Sequence, residues 1–343
     1  MNIKVRNSDK GFKSYELKND YGMEVHVLNY GGIIQKIIVP DKHGELENVV
    51  LGYKEPQEYK TDSYFLGAIV GRVAGRIEGA SFELEGKEYR LEKNDTSNHL
   101  HSGEGFHQIF WNVEPFESSH GVGVKLSYYS EDGENRYPGN VKVTITYLLN
   151  NNNQLVVDYL ASTDKQTPLT LTNHTYFNLS GNLKDSIMEH VVTLNSRQYL
   201  ELNKELIPTG QVLDVNNTTF DFMQGRKLKG GIKADFHQNQ IVGNGFDHYF
   251  LFNEDENGYV KVIEENSGRI LQIETNQPGM VMYTGNNFKE DRELSEGASR
   301  KYLGVCFETQ GSPASLHHEG IPSIILKRGE EYNKRTVYSF QVQ

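Results

Sequence analysis

Only one cysteine, Cys306, occurs in 343 residues, so the chain has no intrachain disulfide framework and lacks the usual cysteine-rich metal sites. Neither a metal nor any other cofactor is expected, and a reducing compartment suits such a composition. Runs of basic residues are also missing. Lys and Arg number 35 against 46 Asp and Glu, a net charge of −11, which makes nucleic acid and acidic membrane surfaces poor partners. No stretch approaches the roughly 18 consecutive apolar residues of a membrane span, and the segment from Met1 to Lys10 has no apolar signal-peptide core. The expected location is the cytoplasm. Fixed-period repeats, heptads and Pro- or Ser-rich linkers are absent as well, so nothing marks a domain boundary and residues 1–343 read as one domain.

Helical periodicity is scarce, whereas strand and hairpin signals recur from end to end. Phe82-Glu83-Leu84 and Tyr89-Arg90-Leu91 flank a turn at Gly86-Lys87. Val141 to Tyr147 alternates apolar and polar residues, and the polar run Asn150 to Asn153 separates it from Leu155 to Tyr159. Tyr259 to Ile263 is joined to Arg269 to Ile273 across Asn266-Ser267-Gly268. Many short strands with 33 glycines predict a mostly antiparallel all-β architecture, either a large sandwich or a closed form. Short helices are predicted only near Glu55 to Lys60 and Lys289 to Leu294.

Two segments carry ionisable groups in surroundings that are otherwise apolar or neutral. In Val305-Cys306-Phe307-Glu308-Thr309, alternation puts Gly304, Cys306 and Glu308 on one face. An acid there is costly to bury unless paired or used. Cys306 lacks a nucleophile signature and reads as a small wall residue. From Leu169 to Leu179, alternation gathers Thr170, Thr172, His174, Tyr176 and Asn178 on a polar and aromatic face of the kind that suits a carbohydrate. Glu308 and His174 are therefore a candidate base and acid, although a histidine satisfied by threonine hydroxyls fits the second segment too.

Other motifs are less specific on their own. The glycines of Gly71-Arg72-Val73-Ala74-Gly75-Arg76 permit a close backbone approach that presents Arg76 to a polar ligand, or Arg76 is a surface ion-pairing residue. His99 and His101 share a strand face at a spacing compatible with a metal, but no third ligand lies nearby. Gly245-Phe246-Asp247-His248 and Asn276-Gln277-Pro278-Gly279 supply either hydroxyl-binding groups or ordinary turns.

Together these segments resemble the aldose 1-epimerase (mutarotase) family. The resemblance runs through Asn29-Tyr30-Gly31-Gly32, residues 71–77, Leu100-His101-Ser102-Gly103, residues 173–179, residues 245–248, Gln277-Pro278-Gly279 with Tyr283-Thr284-Gly285-Asn286, and Glu308-Thr309-Gln310. It implies a large antiparallel β-sandwich, the galactose mutarotase-like supersandwich, with an open sugar cleft. It also implies Glu308 as base, His174 as acid, and Arg76, His101, Asp247 and Gln277 as sugar-positioning groups. Two departures stand out: Gly75 where many relatives carry Asn, and Gly311-Ser312-Pro313-Ala314 in place of a Pro-Asp-Ala pattern.

The implied reaction opens and recloses the ring of free aldoses such as galactose or glucose. It needs Glu308 ionised and His174 charged, and the carboxylate is expected to favour the imidazolium, giving a bell-shaped pH profile. The competing readings are a non-catalytic carbohydrate-binding sandwich, a glycoside hydrolase using Glu308 with Asp247, and an epimerase acting on a disaccharide or a hexose phosphate. For the phosphate, Arg72 and Arg76 are the only arginines at hand.

Overall fold

The computed structural model describes residues 1–253 and 256–343, and strands dominate it. Three large antiparallel sheets form its body. The first 48 residues build a five-stranded meander from Asn2–Asn7 to Leu46–Asn48. A nine-stranded sheet has Val141–Leu149, Gln154–Thr163, Glu331–Val342 and Arg269–Thr275 as consecutive inner strands. The third sheet has six strands, in the order Tyr176–Phe177, Val305–Thr309, Gly279–Tyr283, Asp247–Leu251, Gln198–Leu202, Pro208–Asp214. All three hairpins read from the sequence are present.

Alternation decides which way each sheet faces. In Val141–Leu149, the residues Val141, Val143, Ile145, Tyr147 and Leu149 are buried while their neighbours reach outward. The six-stranded sheet turns Phe250, Met280, Met282, Val305 and Phe307 into the same apolar core. Each such side chain contributes about 1.5–3 kcal/mol on burial. The opposite face of those strands is left free to line a cleft.

Helix is confined to short turns. Pro56–Thr61 is a 3-10 turn close to the expected place, closed by a reciprocal bond between Glu55 and Glu58. The helix expected at Lys289 to Leu294 does not form; Glu293–Leu294 pairs instead with Gly297–Ala298 in a small hairpin. Two α-helical turns, Lys229–Ile232 and His237–Ile241, arise where no periodicity announced them. Among the described residues, no helix is long and apolar enough to cross a membrane.

The segment 169–179 also differs from its expected single strand. It is broken into pieces: Thr172–Asn173 pairs with Ile69–Val70, and Tyr176–Phe177 pairs with Val305–Cys306. His174 sits at the crossing between them, its N–H bonded to Ala68 and its carbonyl to Gly67. The segment bridges two sheets, and this positions the histidine over the edge of the six-stranded one.

Candidate functional site

The cleft floor is two rows of the six-stranded sheet, set by register. In one row Val281 lies opposite Glu308 and Tyr249 opposite Val281; in the next, Tyr176, Cys306, Tyr283 and Asp247 follow one another across the strands. Period-two alternation therefore brings Glu308, Cys306, Tyr283 and Asp247 to one surface from three strands. Around this floor stand Arg76 and His101 from the loops at 71–76 and 100–103, His174 from the crossing segment, and Phe65, Leu206 and Pro313 as apolar rim.

Five of the six residues expected in the site meet here: Glu308, His174, Arg76, His101 and Asp247. His174 Nε2 is 3.5 Å from Glu308 Oε1, with both side chains about 95% buried. Arg76 Nε donates to Asp95 Oδ2 at 2.7 Å, and its Nη1 lies 3.7 Å from Asp247 Oδ2. Arg76 is thus held between two carboxylates rather than on an open surface. The rings of His101 and His174 are 5.6 Å apart and nearly perpendicular, and Phe65 packs on both, at 4.7 and 5.8 Å.

Gln277 does not join them. It lies outside the cleft, 2% exposed, with its amide Nε2 donating to Leu171 O at 3.2 Å and to Tyr332 Oη at 3.0 Å. The resemblance puts Gln277 among the sugar-positioning groups, but the strand begins only at Gly279, and Gln277 precedes it on the far side of Pro278. Val281 and Tyr283 are the residues of this stretch that lie in the cleft floor.

His99 and His101 do not share a face either. The strand ends at Leu100, and His101 adopts φ +51°, which swings it into the cleft. His99 turns away to bond Glu92 O at 2.6 Å and pack near Tyr137. The third ligand missing in sequence does exist in space: potential ligand atoms of His101, His174 and Glu308 lie within 4.8 Å of one another. A three-ligand metal site still does not fit. Gly75 N–H donates to His101 Nδ1 at 3.1 Å, so the proton of this neutral ring is on Nε2, the nitrogen that would have to bind the metal.

The electrostatics correct one expectation. Burial pushes His174 down to about 4 rather than letting Glu308 hold it protonated. Burial, reinforced by Asp247 and partly offset by Arg76, raises Glu308 well above the ordinary carboxylate range. Asp247 is raised by burial despite Arg76, and His101 is lowered by burial and by its neighbours His174 and Arg76. Both shifts favour a neutral carboxyl group beside a neutral imidazole over the ion pair. The neutral pair has the same proton count as the charged one, with the proton moved across 3.5 Å.

Several site residues escaped the sequence reading. Asp95 is a turn residue with no pattern to mark it. Phe65 lies at φ +57°, a conformation that bulky residues seldom adopt and that is most often kept where function requires it. Gln310 was legible, since period two extends the face of Glu308 to it. Its Nε2 donates to Ala74 O while its buried Oε1 has no partner, leaving an acceptor on the cleft wall. Arg72, in contrast, is spent on structure, donating to Ser130 Oγ and to the carbonyls of Glu131, Pro138 and Gly139. Gly75 at φ +91° sits where any added Cβ would come within 3.1 Å of Pro313, so the departure at this position matches the local backbone.

Comparisons with known proteins identify the family. The aldose 1-epimerase family profile matches residues 13–339. Galactose mutarotase from Sus scrofa is 37% identical over 334 residues, covering 96% of this chain and 94% of its own, and the Homo sapiens protein of that name gives the same figures. Aldose 1-epimerase from Haemophilus influenzae is 34% identical, covering 95% and 94%. Among solved structures, galactose 1-epimerase from Lactobacillus acidophilus superposes with a TM-score of 0.88 at 30% identity, covering 99% of this chain and 98% of its own. The chain belongs to the aldose 1-epimerase family and is an isomerase, a mutarotase.

Proposed function

We propose that the chain interconverts the α and β anomers of free aldoses such as galactose and glucose, with Glu308 as base and His174 as acid. The observation that carries this reading is the 3.5 Å approach of His174 Nε2 to Glu308 Oε1 on the floor of a cleft ringed by hydrogen-bonding groups. Glu308 takes the proton of the C1 hydroxyl, the C1–O5 bond breaks, and O5 takes a proton from His174. Rotation about C1–C2 turns the carbonyl, O5 attacks its other face, and both protons return. The open-chain intermediate coexists with a neutral carboxyl group and a neutral imidazole, the arrangement that burial favours.

Attraction at 3.5 Å favours the charged pair, whereas burial favours the neutral one. A sugar hydroxyl donating to Glu308 tips the balance toward the ionised form in which the cycle starts. Each partner of an acid–base pair typically supplies about 10²- to 10⁴-fold. Arg76, His101 and Asp247 orient the hydroxyls, and Gln310 Oε1 offers a further acceptor; no sugar contact is assigned to Gln277. A phosphorylated sugar fits poorly, because Arg72 is engaged with carbonyls and Arg76 already faces two carboxylates.

Polarimetry on freshly dissolved α-D-galactose, α-D-glucose and their 6-phosphates tests the reading. Faster optical relaxation of the free sugars, with little effect on the phosphates, is expected. Binding without faster relaxation would make the protein a carbohydrate-binding sandwich, and preference for the phosphates would overturn the substrate assignment.

A further inference from the structure

Two imidazoles face the cleft, and what touches their other nitrogens differs in kind. His101 Nδ1 receives the backbone N–H of Gly75 at 3.1 Å. An amide N–H can only donate, so His101 keeps its proton on Nε2 and cannot become an imidazolium without losing that bond. His174 Nδ1 lies 3.4 Å from Cys306 Sγ. A thiol can donate or accept, and its sulfur accepts from an N–H while the S–H proton points elsewhere.

This difference bears on which ring can exchange protons. An imidazole gives its Nε2 proton to a sugar oxygen at low cost only if Nδ1 stays protonated, since otherwise an imidazolate is left behind. We propose that Cys306 is a positioning residue whose sulfur accepts the Nδ1–H of His174, freeing Nε2 to release and retake a proton, while Gly75 locks His101 as a permanent Nε2–H donor. Two adjacent histidines thus hold opposite neutral tautomers, one a shuttle and one a fixed hydrogen-bond donor. The inference rests on the mutarotase reading for its purpose, not for its geometry.

The setting is built for this. Cys306 and Glu308 share a face of one strand, Cys306 pairs in register with Tyr176, and the sulfur is fully buried. Burial holds the thiol far above its ordinary range, so it remains a neutral partner at every working pH. The other titratable groups that face His174 are Glu308, His101, His107, Tyr176 and Tyr283. Those facing His101 are His174, Arg76, His107 and His99.

Nitrogen-15 NMR of the sugar-free protein reads both tautomers directly, without reference to turnover. Neutral His174 is expected as Nδ1–H and His101 as Nε2–H across pH 5 to 9; finding His174 as Nε2–H overturns the proposal even if mutarotation is fast. In turnover, Cys306→Ala is expected to lower kcat about five- to tenfold with KM within about twofold, as suits loss of one weak hydrogen bond to the acid. Cys306→Ser, which restores an acceptor, should recover most of kcat and the wild-type tautomer. Equal kcat in wild type and C306A, or equal loss in C306A and C306S, would make Cys306 packing alone. A protein inactive on every aldose but showing the two tautomers would overturn the mutarotase reading and leave the geometry standing.

Discussion

Two glutamates show nearly the same small exposure, Glu264 at 4% in the turn before Arg269 and Glu308 at 3% in the cleft, yet Glu308 lies deeper and their surroundings are opposite. Glu264 accepts the backbone N–H groups of Ser267 at 2.6 Å and Asn266 at 3.1 Å. Burial alone would raise its pKa, but these bonds, with His190 nearby, hold it below the ordinary range. Among the described residues no hydrogen-bond donor satisfies Glu308, and the nearest ionisable partner is His174 at 3.5 Å. A structural carboxylate is solvated by the chain. The one in the cleft is not, and burial raises it.

Exchanging each glutamate for glutamine breaks the comparison most sharply. Glu308→Gln should cost at least about 10²-fold in mutarotation, since the base is gone. Its melting temperature should match or exceed that of the wild type, because a buried ionisable group has been removed. The sign with pH follows from linkage. A raised folded pKa gives stability that is complete below the unfolded value and is lost as pH rises through the folded one, so the advantage of E308Q grows toward alkaline pH. Glu264→Gln should keep turnover per folded molecule but lose about 2 kcal/mol of stability at neutral pH. Here the folded pKa is lowered, so the native advantage exists above the unfolded value and disappears as pH falls; the penalty of E264Q should shrink in acid. Melting curves of both variants from pH 4 to 9, with polarimetry alongside, test the opposed slopes. Parallel slopes would dissolve the distinction.

The pH profile of turnover sharpens the same contrast with a smaller effect. Unperturbed groups would confine the competent one-proton pair to the interval between about 4.3 and 6.5. Burial instead brings the acid limb to about 4, where His174 gains a second proton for the pair, and carries the alkaline limb above the ordinary carboxylate range. Polarimetric rates from pH 3.5 to 9 should therefore show a bell whose acid limb lies near 4 and whose alkaline limb is set by the Glu308 carboxyl group. A bell centred near pH 5.4 and falling by pH 7 would mean that water reaches the pair and the cleft is wetter than its geometry.

How far the sequence could be read depends on whether alternation runs unbroken. The strand carrying Glu308 is regular, so Cys306 and Glu308 were assignable to one face and the core side chains Val305 and Phe307 to the other. The hairpins at 141–163 and 258–275 were legible for the same reason. Alternation failed where the chain leaves its strand. His101 enters the cleft through a left-handed residue, the 169–179 segment crosses between sheets, and Phe65 comes from a loop with no pattern. Asp95 reaches Arg76 only through a contact 19 residues apart, which tertiary structure alone creates. The burial that disfavours a charged His174 is not legible in the sequence, which shows the partner and not the depth.

Gln277 provides the mildest test, and the one that separates resemblance from geometry. If it positions sugar, Gln277→Ala should raise KM for galactose several-fold. The structure has its amide bonded to Leu171 O and Tyr332 Oη beneath the strand that begins at Gly279, with Val281 in the floor of the cleft. On that arrangement Q277A should leave kcat and KM within about twofold of wild type. It should still destabilise the fold by about 1 to 2 kcal/mol, as expected when a buried carbonyl and hydroxyl lose a donor. Thermal melting and Michaelis curves on one preparation decide between the two. A raised KM with an unchanged melting temperature would return Gln277 to the site and require this loop to rearrange when sugar binds.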